Sequence, residues 1–297
     1  MLASILINNY NYSGYLDYCI KSALEQTHKN IEVIVYDDGS TDDSLEVIRK
    51  YEHGIKLISE TNFGHAPSFN QANAINRAFE ASKGEIIFLL DSDDAFLPEK
   101  VETVVKCFED IDKCVMVQHF LREIGEDNKP IGRIRCKVKN VDLIKHIYRT
   151  HNITGQLFSY TSGLAFRRTY LEKILPMKMD EFDKIWPEVR LNRISIFFGD
   201  VITIRDCLGE YRIHGKNDSN KLKDKIYFES FISQLYGFFN NNAVKYGYPK
   251  IDRNKSVLRN DLSLCKFLIF AAFSNERFFD KIGYAYNMIK RGLLKIK

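Results

Sequence analysis

The sequence predicts an α/β fold in which helices flank a mostly parallel central sheet, followed by a helical C-terminal extension. Over the first 120 residues, short apolar runs alternate with segments whose apolar residues recur at helical spacing. Three of the apolar runs end in polar clusters, at residues 8–11, 37–40 and 91–94. Because ligands in such sheets bind beyond the carboxyl ends of the strands, these clusters predict one binding rim.

The first part of the chain reads as four strand–helix units. The apolar runs that predict strands are residues 2–7, 31–36, 55–59 and 86–90. The predicted helices are residues 16–24, 40–49 and 68–82, with a fourth that opens at Pro98. Ser40 and Asp43 have the spacing of a capping box, which predicts that the second helix begins at Ser40.

The pattern is less regular beyond residue 115. Residues 115–120, 161–166 and 201–204 predict short strands, and residues 187–197 predict a helix. After His214 the chain reads as helical and basic to its end. We therefore predict one domain over residues 1–215, with a first half at 1–115 and a second at 116–215, and a basic helical region at 216–297.

Positive charge is concentrated near the C-terminus. The net charge is +4, yet residues 215–297 hold 16 Lys and Arg against 7 Asp and Glu. This imbalance predicts an anionic partner (nucleic acid, a membrane surface or an acidic substrate), unless the region is simply a solvated surface. The chain contains no recognisable nucleic-acid-binding module, so we expect no nucleic-acid partner.

Three features predict a cytoplasmic location. Met1 leads directly into a short apolar run with no basic leader, so we expect no secretory signal. The longest apolar stretch, residues 262–273, contains Lys266 and is shorter than the roughly 20 residues that a membrane span needs. The six cysteines include no CxxC pair, as expected for small buried residues of a reduced protein.

The strongest chemical signal is the run Asp91-Ser92-Asp93-Asp94, directly after the apolar residues 86–90. Carboxylates at the end of a buried strand lose hydration and repel one another, so a positive charge is expected beside them. Mg²⁺ or Mn²⁺ bridging phosphate oxygens is the natural candidate. The alternative is structural, because Asp94 could serve only as the N-cap of the following helix.

A second acidic loop, Asp-Asp-Gly-Ser-Thr-Asp at residues 37–42, follows the second predicted strand. An acid in this position can accept hydrogen bonds from a nucleobase or a ribose hydroxyl. The loop lacks the G-x-G-x-x-G and G-K-[ST] patterns, so it is not a glycine-rich phosphate cradle. Taken alone, it is equally compatible with an ordinary strand-to-helix turn.

In combination, these motifs resemble those of the family 2 glycosyltransferases. The resemblance rests on Ile-Leu-Ile-Asn-Asn-Tyr-Asn at residues 5–11, Ser-Ala-Leu-Glu-Gln-Thr at 22–27, Glu-Val-Ile-Val-Tyr followed by the acidic loop at 32–42, and Asp-Ser-Asp-Asp at 91–94. It implies the GT-A fold, in which a Rossmann-like nucleotide-binding half, here residues 1–115, joins an acceptor-binding half, here residues 116–215.

The resemblance also implies which residues bind the nucleotide. The loop that contains Asn8 would hold the base, with Tyr10 stacked on it, and Asp38 would accept a hydrogen bond from the base, which is usually uracil. Asp91 would lie near the ribose. The full set of implied nucleotide-binding residues is Asn8, Tyr10, Asn11, Asp38, Asp91 and Ser92.

The implied metal site draws on both halves of the chain. By resemblance, Asp93 and the adjacent Asp94 would hold Mn²⁺ or Mg²⁺ on the diphosphate. The segment Tyr-Arg-Ile-His-Gly-Lys-Asn at residues 211–217 recurs in bacterial members of the family. In that motif, His214 would approach the diphosphate or complete the metal shell, for which imidazole is a competent ligand.

The catalytic base implied by the resemblance is a carboxylate. The family usually places it about eleven residues before the glycine matched by Gly199, and this spacing points to Glu188. Asp183 and Asp180 lie nearby and are alternatives. Glu188 could also act only as a favourable acid in the first turn of the helix after Pro187.

The resulting hypothesis is an inverting, metal-dependent glycosyltransferase that moves a sugar from a nucleoside-diphosphate sugar, with UDP favoured, to an acceptor hydroxyl. The family suggests surface polysaccharide or glycolipid synthesis, and therefore a glycan or lipid-linked acceptor. Two alternatives stay open. One is a nucleotidyltransferase of related fold, although residues 8–14 lack the basic phosphate loop of such enzymes, and the other is a non-catalytic sugar-nucleotide-binding subunit.

The C-terminal region combines aromatic residues, such as Phe278 and Tyr284, with basic ones, such as Lys281 and Lys290. Such a segment could lie on anionic lipid as an interfacial helix, which would place the protein at the inner face of the cell membrane. A packing or dimerising helix is the alternative, and it would make the protein a homo-oligomer.

Overall fold

The computed structural model describes residues 1–136, 141–154, 157–215 and 217–255. Within these residues, no helix combines the length and the apolar character that crossing a membrane requires. Among these residues, Met1–Ile144 with Ile153–Lys250 form one compact unit, and Lys145–Asn152 with residues 251–255 belong to a second. The residues predicted to form an interfacial or packing helix, among them Phe278, Lys281, Tyr284 and Lys290, lie outside the described residues.

The first four strands alternate with helices in the order that the sequence predicts, and later elements alternate less regularly. The strands are β1 (Ala3–Asn9), β2 (Ile31–Asp37), β3 (Lys56–Ser59), β4 (Ile86–Asp91), β5 (Ala95–Phe96), β6 (Cys114–Ile124), β7 (Pro130–Arg135), β8 (Leu164–Arg167) and β9 (Asp200–Arg212). The α-helices are α1 (Ser13–Leu24), α2 (Ser44–Arg49), α3 (Pro67–Ala81), α4 (Lys100–Asp110), α5 (Leu143–Thr150), α6 (Arg168–Leu171), α7 (Pro187–Ser195) and α8 (Lys225–Lys245). Short 3-10 turns at Thr161–Gly163 and Asp218–Lys223 precede β8 and α8.

The strands form one mixed sheet in the order β3-β2-β1-β4-β8-β6-β9-β5, with β7 paired to β6. β1, β2, β3 and β4 are parallel, and β8 is antiparallel to both β4 and β6. β9 runs parallel to β6, so it points the same way as β1 and β4. The predicted α/β class is therefore confirmed, and the carboxyl ends of six strands lie on one edge of the sheet.

The core explains why the first strands read as unbroken apolar runs. β1 and β4 are buried along nearly their whole length, since they lie in the middle of the sheet with helices on both faces. One face packs against the apolar side of α1, where Leu16, Cys19, Ile20 and Ala23 are fully buried. Val101, Val104 and Phe108 of α4 join the same core.

Two local predictions are corrected by the structure. The capping box at Ser40 is wrong, because α2 begins at Ser44 and the hydroxyl of Ser40 is bonded to Asp37 instead. The strand predicted at residues 201–204 extends to Arg212, since β9 contains a bulge at which Arg205 and Asp206 have no partner residue in β6. Because Arg205 and Asp206 interrupt the apolar pattern at this bulge, the sequence did not predict the rest of the strand.

The turn before β4 depends on a glycine at position 84. A Cβ at Gly84 would lie 2.6 Å from the backbone nitrogen of Ser4 and closer still to its hydroxyl oxygen. We expect Gly84→Ala to lower the free energy of unfolding by about 1–3 kcal/mol, because the strand edge must shift to admit the methyl group. Urea unfolding followed by circular dichroism measures this change.

Gly14→Ala is the matched control, because a Cβ at Gly14 meets no atom within 4 Å and the residue lies in α1. We expect this change to leave stability unaltered or to raise it by up to about 1 kcal/mol. Equal effects of the two substitutions would contradict the packing argument at Gly84.

Candidate active site

A network around Ser40 ties together the loops that follow β1 and β2. Asn9 Nδ2 and the Ser40 hydroxyl both donate to Asp37 Oδ2, at 2.8 and 2.6 Å. The backbone N–H of Asn11 donates to Ser40 Oγ at 3.0 Å, and the N–H of Thr41 donates to Asn11 Oδ1 at 2.7 Å. Asn11, implied as a nucleotide-binding residue, thus holds the two loops together, in the left-handed backbone conformation that Asn tolerates.

Asp38 lies beside this network at the carboxyl end of β2. Its carboxylate oxygens accept hydrogen bonds from Asn62 Nδ2 at 2.9 Å and from the backbone N–H of Phe63 at 3.1 Å. Burial raises the pKa of the Asp38 carboxyl. The side chain of Tyr10 is 45 % exposed at the same edge, so its ring is open to a ligand. This part of the rim offers a fixed acceptor and an aromatic face.

Asp91 lies where β4 ends, next to the end of β1. Its Oδ1 accepts hydrogen bonds from Gln71 Nε2 at 2.9 Å and from Asn8 Nδ2 at 3.4 Å. Burial raises the pKa of Asp91 well above its ordinary value, and the negative charge of Asp93 acts in the same direction. Ser92 is buried immediately after it. The carboxyl of Asp91 is therefore held by two amides and accepts further hydrogen bonds at low energetic cost.

Asp93 and His214 meet across the two halves of the site. Asp93 Oδ2 lies 2.8 Å from His214 Nε2, and the side chains are 16 % and 2 % exposed. The imidazole stacks on the ring of Tyr15, with centroids 5.2 Å apart. Two implied metal ligands, a carboxylate and an imidazole, are thus in direct contact, and the ring of Tyr15 in α1 packs against the imidazole.

Asp94 is bonded differently from its neighbour. Its Oδ2 accepts a hydrogen bond from Ser162 Oγ at 2.6 Å, and its Oδ1 accepts one from the backbone N–H of Arg212 at 2.9 Å. It is 1 % exposed, and burial together with the charge of Asp93 raises its pKa well above the ordinary value. Asp94 therefore binds the carboxyl end of β4 to β9, rather than capping α4.

The guanidinium of Arg212 supports the backbone of the acidic turn. Arg212 is fully buried, and it donates from Nε to the carbonyl oxygen of Asp93 at 2.7 Å and from Nη1 to that of Gly125 at 2.8 Å. The charge lies over the ring of Tyr15, 4.8 Å from its centroid. Asp93 is thus fixed through its own carbonyl, while its carboxylate contacts His214.

Two of the three implied base carboxylates are engaged by neighbouring side chains. Asp180 accepts a bidentate pair of hydrogen bonds from Arg190, at 2.9 and 2.8 Å. Asp183 accepts hydrogen bonds from Lys184 Nζ and Gln234 Nε2, both at 2.7 Å. These bonds join the segment before α7 to α7 itself and to α8. Both carboxylates therefore serve as structural anchors in this conformation.

Glu188 lies in the first turn of α7 and is half-buried. Burial is the largest cause of the raised pKa of Asp91, and the negative charge of Glu188 adds to it. Burial likewise dominates the raised pKa of the Tyr160 hydroxyl, to which the charge of Glu188 also contributes. Glu188 is therefore an implied base whose negative charge acts on the carboxyl of Asp91.

The sequence did not point to two residues that organise this site. Gln71 lies in α3, and only the fold brings it to Asp91. Arg212 lies in the recognised 211–217 segment, but its burial could not be read from one sequence. Of the two residues, Arg212 is the one that the sequence could have indicated, because it lies in the same motif as His214.

The described residues contain no group of three or more His, Cys, Asp or Glu side chains arranged to hold a metal by themselves. Asp93 and His214 supply two ligand types that divalent cations accept. Mg²⁺ and Mn²⁺ in nucleotide enzymes are commonly held by one or two carboxylates together with phosphate oxygens and water. The pair therefore fits a cation that arrives with a diphosphate.

Comparisons with known proteins agree with this geometry. A family model described as Glycosyl transferase family 2 matches residues 4–175. An uncharacterised glycosyltransferase of Nostoc sp. is 34 % identical over 269 residues, which cover 86 % of this chain and 80 % of that protein.

Solved structures share the fold at low sequence identity. S. aureus TarS 1–349 in complex with UDP-GlcNAc aligns with a TM-score of 0.61 at 17 % identity, covering 86 % of this chain and 70 % of that one. The mannosyltransferase PcManGT from Pyrobaculum calidifontis, in complex with GDP-Man and Mn²⁺, aligns with a TM-score of 0.53 at 14 % identity, covering 99 % and 81 %. These likenesses confirm the predicted GT-A fold. With the family match over more than half of its length, the chain belongs to glycosyl transferase family 2 and is a glycosyltransferase.

Proposed function

We propose that this glycosyltransferase is inverting and metal-dependent and that it transfers a sugar from a UDP-sugar to an acceptor hydroxyl. The observation that carries the proposal is the meeting of three groups at one rim. Asp91 lies at the end of β4, Asp93 contacts His214 at 2.8 Å, and the negative charge of Glu188 in α7 acts on Asp91. These residues offer acceptors for a nucleotide, ligands for a cation and a carboxylate for a proton.

The nucleotide would extend along the carboxyl edge of the sheet. Asp38, on the β2 side, would accept a hydrogen bond from the base, and the exposed ring of Tyr10 would stack on it. Asn8 and Asp91 follow on β1 and β4. The complexes of the two structural relatives with UDP-GlcNAc and GDP-Man support a nucleoside-diphosphate sugar as the donor.

Asp93 and His214 would hold the divalent cation, for which Mn²⁺ and Mg²⁺ are both suitable. The Mn²⁺ in the mannosyltransferase complex supports this assignment. A bound cation would supply the positive charge that stabilises the departing diphosphate. Asp94 has both oxygens bonded to Ser162 and Arg212, so we propose that it positions Asp93.

Glu188 would act as the general base. Its carboxylate would accept the proton of the acceptor hydroxyl while the hydroxyl oxygen bonds to the anomeric carbon. The bond between that carbon and the diphosphate oxygen breaks on the opposite face, so the configuration inverts. Asp183 and Asp180 are the alternative candidates, and their carboxylates are paired with Lys184 and Arg190.

Two alternative functions have less support. A nucleotidyltransferase needs a basic phosphate loop after its first strand, and residues 8–14 contain no Lys or Arg. A non-catalytic sugar-nucleotide-binding subunit would not need a second carboxylate whose charge acts on Asp91, as that of Glu188 does. Surface polysaccharide or glycolipid synthesis at the inner face of the cell membrane is the pathway that we propose from the family.

Asp93→Asn tests the metal site. We expect Mn²⁺-dependent UDP binding to fall at least tenfold, because the amide removes the negative charge that attracts the cation. UDP binding in the presence of a chelator should stay unchanged. Calorimetric titration of UDP with Mn²⁺ and with chelator measures both quantities.

The control for this experiment is Asp127→Asn, which removes an equivalent charge from an exposed turn. It should bind UDP as the unaltered protein does in both conditions. If Asp93→Asn keeps its Mn²⁺-dependent affinity, the assignment of the metal ligand is refuted. GDP, dTDP and CDP, titrated in parallel, test whether UDP is the preferred nucleotide.

Glu188→Gln tests the base. We expect UDP release from UDP-sugars, with water or a supplied glycan as acceptor, to slow by about 10²–10⁴-fold, because the amide cannot take up the proton. UDP affinity should change by less than about twofold. A coupled assay for released UDP follows turnover, and calorimetry follows binding.

Asp183→Asn is the matched control, since it alters a carboxylate five residues earlier that is bonded to Lys184 and Gln234. We expect Asp183→Asn to reduce turnover much less than Glu188→Gln does. The reverse order of effects would identify Asp183 as the base.

A further inference from the structure

A cleft of about 470 Å³, which we call the tyrosine cleft, lies beside His214. It is lined by the start of α1, the loop after β2, the turn between β6 and β7, and the end of β9, chiefly through Tyr12, Gly14, Tyr15, Asp42, Glu126 and His214. The described residues that line it do not include Asp38, Asp91 or Asp93. Small-molecule sites have volumes of roughly 300–1,000 Å³. The tyrosine cleft is therefore large enough for a ligand of its own, and it is separate from the carboxylates assigned to the nucleotide and the cation.

Three aromatic rings are in contact at the tyrosine cleft. The ring of Tyr15 is stacked on the imidazole of His214 with centroids 5.2 Å apart, and Tyr12 meets the same imidazole edge-on at 5.7 Å. The two tyrosine rings lie 6.2 Å apart. Tyr12 and Tyr15 are half-buried, so each keeps part of its surface accessible. Such rings offer an apolar surface against which the C–H face of a sugar ring can pack.

A hydroxyl and a carboxylate border these rings. Burial is the largest cause of the raised pKa of the Tyr15 hydroxyl, and the negative charge of Glu126 is the next. Neither that hydroxyl nor the Glu126 carboxylate forms a hydrogen bond with another residue in the described part of the chain. An ionised carboxylate only accepts hydrogen bonds, whereas a tyrosine hydroxyl donates and accepts. Both groups can therefore bind the hydroxyls of a ligand.

The charges at the tyrosine cleft disfavour an anionic ligand. Its described lining residues include the carboxylates of Asp42 and Glu126 but no Lys or Arg. A phosphate placed here would meet like charges, which is unfavourable. A neutral sugar satisfies both kinds of surface, because its hydroxyls donate to carboxylates and its C–H groups pack on the rings. The cleft is therefore suited to a neutral carbohydrate rather than to an extension of the diphosphate site.

Hydrogen bonds hold two walls of the tyrosine cleft in place. Arg212 Nη1 donates to the carbonyl oxygen of Gly125 at 2.8 Å, directly before Glu126. The backbone N–H of Ser13 donates to Asp42 Oδ2 at 3.0 Å. Because these bonds fix the turn and the loop in advance, a ligand would not have to order them, and less of its binding free energy is lost.

We propose that the tyrosine cleft is a subsite for a neutral sugar residue of the glycan acceptor, which packs on Tyr12 and Tyr15 and donates a hydrogen bond to Glu126. This inference rests on the proposed function, which makes a glycan the acceptor. His214 connects the two sites, since it lines the cleft and also contacts Asp93 at 2.8 Å. An acceptor held here is therefore one side chain away from the implied metal ligands.

The test measures the binding of the methyl glycosides of glucose, galactose, mannose, N-acetylglucosamine and N-acetylgalactosamine by saturation-transfer difference NMR. UDP and Mn²⁺ are present throughout, so that the nucleotide site is filled. We expect the unaltered protein to bind at least one glycoside. Glu126→Gln should weaken that binding about fivefold, because a neutral amide replaces the charged acceptor. Tyr12→Leu should weaken it at least about threefold, because the aromatic surface is lost.

Asp127→Asn is the matched control, because Asp127 is the next residue of the same turn, is paired with Lys129 and does not line the cleft. It should bind the glycoside as the unaltered protein does. All three variants should bind UDP with Mn²⁺ within about twofold of the unaltered affinity by calorimetry. This second measurement verifies that each variant is folded and that its nucleotide site is intact.

The outcomes separate this inference from the proposed function. Failure of all five glycosides to bind would overturn the subsite and leave the function standing, provided that UDP binds. Glycoside binding that Glu126→Gln and Tyr12→Leu weaken no more than Asp127→Asn does would have the same meaning. If none of UDP, GDP, dTDP and CDP binds, the proposed function itself fails, and the acceptor role of the tyrosine cleft fails with it.

Discussion

The structure depends on one electrostatic constraint, which is that three carboxylates occupy four consecutive residues at the end of a buried strand. Burial and mutual repulsion both oppose their ionisation. The fold satisfies each acid separately. Asp91 receives two amide donors, Asp93 receives an imidazole, and Asp94 receives a hydroxyl and a backbone N–H. Only Asp93 has its carboxylate left at the mouth of the rim.

The partners of these acids come from distant parts of the chain, and this explains why the sheet is built as it is. β8, antiparallel between β4 and β6, starts next to Ser162, while β9 runs parallel to β4 and delivers Arg212 and His214 at the same edge. The second half of the domain is thus joined to the first through the site itself. The bulge in β9 adjusts the strand so that its last residues reach the acidic turn.

The sequence was sufficient to predict the parallel strands, because strands buried on both faces leave continuous apolar runs. It was also sufficient to place Asp38, Asp91 and Asp93 at one rim, since each follows such a run. It could not assign Ser40, whose hydroxyl had several acceptors within reach and bonds to Asp37 rather than capping a helix. Gln71 was inaccessible for another reason, because its partner lies 20 residues away and no local pattern connects them.

The acids of the turn at residues 91–94 depend on hydrogen-bond partners from two different parts of the chain. Asp91 relies on Asn8 and Gln71, which both precede it in the chain, whereas Asp93 and Asp94 rely on Ser162 and Arg212, which follow them. We therefore expect the residue at position 71 to be constrained by its hydrogen bond to Asp91. The residue at position 212 is constrained in the same way by its hydrogen bonds to residues 93 and 94. A recombination that replaced the second half of the domain, to gain a new acceptor, would have to carry the 211–217 segment with it.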